Sequence, residues 1–177
     1  NITGVGTIGT GVWQGTAIAS AYLDSDTAHL TTDQTFTGKK TFSDDVTFNC
    51  DTVTFESANA DDPIVTIKNT SNATNDMASL KFVKDRGATP GVGDNLAEIY
   101  FIGEDADQNS QEYGRILCET DVVTGGQESG VIKMGVANHD GGNGYGLIMT
   151  GGSANDEVDV SVGLGAASVT TIAGTLT

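Results

Sequence analysis

The sequence predicts an all-β chain in which short-strand shaft segments intertwine with copies of themselves, around a central antiparallel, sandwich-like module. Three observations carry this. Gly and Thr each occur 24 times among the 177 residues, and Pro only twice; Thr suits a pleated, half-buried surface and Gly suits tight turns. A Thr-Phe pair recurs at residues 35–36, 41–42, 47–48 and 54–55. Between residues 62 and 151, apolar residues alternate with polar ones in short runs separated by Gly- and Asp-rich turns, the pattern of an antiparallel sandwich or meander.

Taken in order, five stretches separate. Residues 1–20 form an extended Gly/Thr-rich segment in which Val5, Ile8, Val12 and Trp13 are spaced by Gly and Thr. Its apolar groups are too few to repay the entropy of ordering unless it packs on copies of itself or on a partner. Residues 21–31 read as a polar crossover loop with room for one helical turn, N-capped by Ser25 or Asp26. Residues 32–61 are the Thr-Phe repeat shaft, its pairs separated by turn formers such as Gly38, Asp44, Asp45, Asn49 and Asp51. Residues 62–151 are the compact module. Its candidate strands are 63–68, 79–84, 97–103, 112–119, 130–136 and 145–150. Residues 152–177 return to the fibrous style, with Val158, Val160 and Val162 alternating with Asp and Ser. Both ends of the chain are expected to continue into further repeats.

The repeat decides the assembly. Four Phe in one row would be an exposed apolar ladder on a monomer, and units that cannot bury their own faces are typical of stacked β architectures. Three parallel chains wound about one axis would bury it. The expected architecture is an elongated trimeric fibre with Trp13, Phe36, Phe42, Val46, Phe48, Val53 and Phe55 in the trimer core. Ordinary hairpins are the competing account of the same repeat.

Charge and composition narrow the function. The net charge is −16 and the isoelectric point about 4.1, so the surface repels nucleic-acid phosphates and anionic lipid. No apolar run approaches the roughly 20 residues of a membrane span, and no signal peptide is visible. Cys50 and Cys118 are neither a disulfide framework nor a metal-ligand pattern; both are expected to be reduced and unpaired.

Catalytic signatures are sought without success. Glu98, Glu104, Asp105, Asp107, Glu112, Glu119, Asp121 and Glu128 could supply a carboxylate pair. Glycoside cleavage needs two carboxyls tuned apart by their surroundings, and in so acidic a chain no pair stands out. Residues 104–109 place oxygens at alternate positions as calcium loops do. Ser110 and Ile116, however, stand where that loop needs Gly and a bidentate Glu, which favours a solvated acidic turn. His29 and His139 are isolated, and Asn69 and Asn72 head glycosylation-type triplets that read as plain turns. No catalytic residue, cofactor or metal is expected.

The run from His29 to Phe42, with Gln34-Thr35, Gly38, Lys40-Thr41-Phe42 and then the Val-Thr-Phe copies at 46–48 and 53–55, resembles a shaft element of tail-fibre proteins of tailed bacteriophages. Residues 5–13 are similar to repeats in fibres of marine phages. Residues 79–86, followed by Gly93-Asp94 and Glu128-Ser129-Gly130, look like a β module carried by the same class. The resemblance covers most of the chain. It implies a parallel homotrimer at the virion surface, outside the cell, with other virion tail proteins as partners and room for a host-surface glycan or protein. It implies no catalytic residue. A segment of a trimeric bacterial surface adhesin and a carbohydrate-binding module are the alternative functions.

Overall fold

The computed structural model describes Asp33 and residues 35–174. Residues 1–32, with Trp13, His29 and the proposed helical cap, lie outside the described residues. The chain divides into two units, Asn1–Ile64 and Val65–Thr177.

In the first unit, the described residues form no β-strand. Its order is local. Lys40 Nζ donates to the Thr37 carbonyl at 2.7 Å and lies 5.8 Å from the centre of the Phe36 ring. The Cys50 thiol donates to the Thr52 carbonyl at 3.4 Å. The Thr-Phe pairs therefore make no ladder within one chain.

The second unit is built on one antiparallel sheet. Its strands are β1 (Asn95–Glu104), β2 (Ser110–Val122), β3 (Ser129–Ala137), β4 (Asn143–Gly151) and β5 (Val158–Val162). Their spatial order is β1-β2-β3-β4-β5, a meander. Each reversal has a local cause. Between β1 and β2, Asp105 Oδ1 accepts from the amides of Asp107 and Asn109, both at 2.9 Å, and the turn closes through Asp105 N–H to the Asn109 carbonyl. Between β3 and β4, the Asn138 amide donates to the Gly142 carbonyl at 2.8 Å, around Gly141 at φ +79°, a backbone conformation that suits glycine. Between β4 and β5, the Glu157 carboxylate accepts from the amides of Ser153 and Ala154 at 2.6 and 2.9 Å.

The approach to β1 is clamped to the far end of β2. Thr120 Oγ1 donates to the Gly91 carbonyl at 2.7 Å and accepts from the Asp94 amide at 2.9 Å. Asp94 pairs with Arg86, and its carboxylate accepts from the Gly91 amide. These bonds hold its pKa below the usual carboxylate range, the Gly91 bond first and the Arg86 bond second.

Two expectations are corrected. The module is a single open sheet, not a sandwich. Of the six candidate strands, 63–68 and 79–84 form no ladder. Leu80 and Phe82 alternate as a strand would, yet both are exposed, because no neighbouring strand takes up their backbone groups. The other four candidates are the cores of β1 to β4. The alternating valines of the tail form β5 at the sheet edge.

Candidate functional site

Residues paired across a ladder point to the same side, and successive residues point to opposite sides. The register therefore sorts the sheet into two faces. One row runs Ala97–Cys118–Ile132–Met149–Val160, and the next Ile99–Ile116–Met134–Leu147–Val162. A third runs Phe101–Gly114–Val136–Gly144. None of these residues carries a charge. Phe101, Val136, Val158, Val160 and Val162 each keep more than half of their surface in water. The Phe101 ring lies across Gly114, 3.4 Å from where a Cβ would stand. A hollow of about 390 Å³ opens there between Phe101, Tyr113, Met134 and Val136.

The opposite face is ionic. Its rows are Glu98–Leu117–Lys133–Ile148–Ser161, Tyr100–Arg115–Gly135–Tyr145 and Asn95–Glu119–Val131–Thr150–Asp159. Arg115 is the hub. It grips Glu112 with two parallel bonds, Nε to Oε1 at 2.9 Å and Nη2 to Oε2 at 2.8 Å. It reaches Glu98 at 3.3 Å, and its guanidinium stands 4.8 Å from the Tyr100 ring centre. The Tyr100 hydroxyl donates to Glu98, and the Asn143 amide donates to Glu112. Beside them Lys133 pairs with Glu119 and lies 5.6 Å from the Tyr145 ring centre. The paired Arg115 holds the Glu112 carboxyl below its ordinary pKa. The bond to Glu98, which needs the phenolic proton, pushes Tyr100 up. On the same face, between Glu98 and Lys133 in register, lies Leu117, 4% exposed and the one buried hydrophobic side chain among the described residues.

The structure places the sequence-predicted residues as follows. Phe36, Phe42, Val46, Phe48, Val53 and Phe55 are all exposed in the single chain, and Trp13 lies outside the described residues. Of the eight carboxylates considered for catalysis, Glu98, Glu112 and Glu119 belong to the ion pairs. Asp105 and Glu128 fold turns, Glu128 by accepting from the Gly126 amide at 3.0 Å. Asp121 accepts from the Ser129 hydroxyl at 2.9 Å. Where their pKa values move, at Asp105, Glu112 and Glu128, they move down, opposite to what a general acid needs. Among the described residues, no group of three or more His, Cys, Asp or Glu is arranged to hold a metal ion. Cys50 and Cys118 are both free thiols. Sequence reasoning missed the Arg115 hub and the continuous uncharged face. The alternation in β1 and β3 showed each strand's apolar side but not that the register aligns all five. Comparison of the chain with protein-family models, curated proteins and solved structures finds no match.

Proposed function

We propose that the chain is a structural segment of a parallel homotrimeric fibre, of the kind that tailed bacteriophages project from the virion, where it spaces or contributes to host-surface recognition. The observation that supports this reading best is the phenylalanine row. Phe36, Phe42, Phe48 and Phe55 are 58, 70, 65 and 62% exposed in one chain, on a segment whose described residues form no ladder of their own. Burying one such ring is worth about 1.5–3 kcal/mol, so three chains winding together gain both a core and partners for their backbone groups. The likeness of residues 29–42 to phage fibre shafts points the same way. Partners are then two further copies, neighbouring tail proteins and a host-surface glycan or protein.

Light scattering on the full chain tests this: the expected mass is three times 18.2 kDa. A stable, folded monomer overturns it. Antibodies raised against the chain are expected to decorate fibres on phage particles. Decoration of a bacterial surface in uninfected cells would assign the trimer to an adhesin instead.

A further inference from the structure

We infer that the uncharged face of the sheet is itself an interface, covered by the same face of further copies of this chain. The sheet is thus a second association element, independent of the phenylalanine repeat. For the number of copies, three, the inference rests on the fibre reading above.

The first ground is that the face has no cover of its own. Among the described residues only Gly114, Leu117, Gly135 and Gly144 are buried. The single large side chain among them, Leu117, belongs to the ionic face, so no apolar side chain of the uncharged face is buried. The described residues of the second unit outside the strands are almost all exposed. Along this face Phe101, Met134, Val136, Val160 and Val162 are 42–64% exposed in the single chain. A monomer rarely leaves more than a few hundred contiguous Å² bare, and a standard interface takes about 800 Å² from each partner.

The second ground identifies the occupant. The chain carries −16, and Glu98, Glu112, Glu119 and Asp159 line or flank the ionic face. The uncharged face is where two such chains can meet without bringing carboxylates together. It offers a heterologous partner no charge by which to be selected. Its relief suits a copy of itself. Phe101 and Val136 are 55 and 64% exposed, while hollows of about 390 and 340 Å³ open beside Gly114 and beside Cys118, Ile132 and Met149. Projections and hollows on one face allow head-to-tail packing around a closed axis.

Cys118 is a built-in reporter, because it sits in the first row of this face and is only partly exposed in the single chain. The test labels the full chain with iodoacetamide, native and in urea, and reads the Cys118 peptide by mass spectrometry. Coverage by copies is expected to slow native labelling at least about 100-fold, the protection given by a few kcal/mol of opening energy. Met134→Lys, in the middle row, is expected to lower the sedimenting mass and to speed Cys118 labelling. Ser161→Lys, on the ionic face, should leave both unchanged. A wild-type trimer whose Cys118 labels at the unfolded rate overturns the inference and leaves the fibre reading standing. So does a Met134→Lys trimer with unaltered labelling. A wild-type chain sedimenting at 18.2 kDa overturns both.

Discussion

Leu117 on β2 pairs in register with Lys133 on β3, and the buried member of this pair lies on the face that carries the charges. The apolar stems of Arg115 and Lys133 and the rings of Tyr100 and Tyr145 lie on that side. Long cationic side chains cover apolar surface while their heads stay in water. On the ionic face Leu117 is 4% exposed, whereas no side chain of the uncharged face is buried.

Leu117→Ala is expected to destabilise the sheet by about 2–5 kcal/mol. Urea unfolding at fixed chain concentration measures it. Sedimentation of the native variant should match wild type, since the residue faces away from the uncharged surface. An unchanged urea midpoint would show that the ionic canopy is not a core.

Two glycines of the sheet should respond differently to alanine. At Gly135 an added Cβ would meet Asn143 Oδ1 at 2.8 Å and the Gly144 carbonyl and Tyr145 ring at 3.0 Å, so Gly135→Ala forces the β3–β4 ladder apart. At Gly114 the nearest atoms are Phe101 Cδ2 at 3.4 Å and the Gly135 carbonyl at 3.5 Å, ordinary van der Waals contacts. Gly135→Ala should cost about 1–3 kcal/mol, the range for overpacking, and Gly114→Ala well under that. Thermal melts of the two variants side by side check the order, and the reverse order contradicts the register.

The Arg115 hub predicts a pH signature. The folded Glu112 has a depressed pKa, so its pairing stabilises the sheet above the unfolded value of about 4.3 and is lost as pH falls through the folded one. The stability gap between wild type and Arg115→Gln should be full at pH 6–8 and shrink below pH ~4. Using the gap cancels the relief of general acidic repulsion that both proteins share. At the alkaline end, Tyr100 has a raised pKa. Its bond to Glu98 is present below the unfolded value of about 10 and is lost as pH rises through the folded one. Guanidinium titrations at several pH values test both limbs. A gap that widens on acidification would remove Arg115 from the role assigned to it.

Phe48→Asp separates the chain from its assembly. Phe48 is 65% exposed in one chain, so the substitution should leave the circular dichroism of the sheet intact. In a trimer, each lost ring costs about 3–5 kcal/mol, and three carboxylates would face one another in an apolar site. The variant is expected to sediment below trimer mass at neutral pH. A stable Phe48→Asp trimer would show that the repeat does not lie on the axis.

Much of the sheet was legible because Ile99 with Phe101, and Ile132, Met134 and Val136, alternate cleanly. β2 was less so: Ile116-Leu117-Cys118 is a continuous apolar run, and only its ladder partners tell that Leu117 points away from the other two. Leu80 and Phe82 show the converse, since alternation states which side a strand would bury but cannot provide the neighbour it needs. The Arg115 hub was invisible because Glu98 lies 17 residues away. Register and the extra residue Tyr113, where Phe101 pairs with Gly114 but Ile102 with Glu112, decide which carboxylates it meets. The residues proposed for a trimer core were legible as a pattern only, because a single chain gives the described ones nothing to pack on.

The meander has a kinetic consequence. Every strand pairs with its neighbour in sequence, across turns of only a few residues, so hairpins can close within microseconds of one another and no long loop has to be drawn in. Meeting another chain is bimolecular and far slower at micromolar concentration. In the assembly proposed above, each newly made sheet therefore completes its hydrogen bonds early and then waits for its partners. Refolding is expected to show a fast phase indifferent to dilution, followed by one that slows as the protein is diluted. In that interval the molecule is most exposed to misdirected association, so yield should depend on how soon chains emerge beside one another.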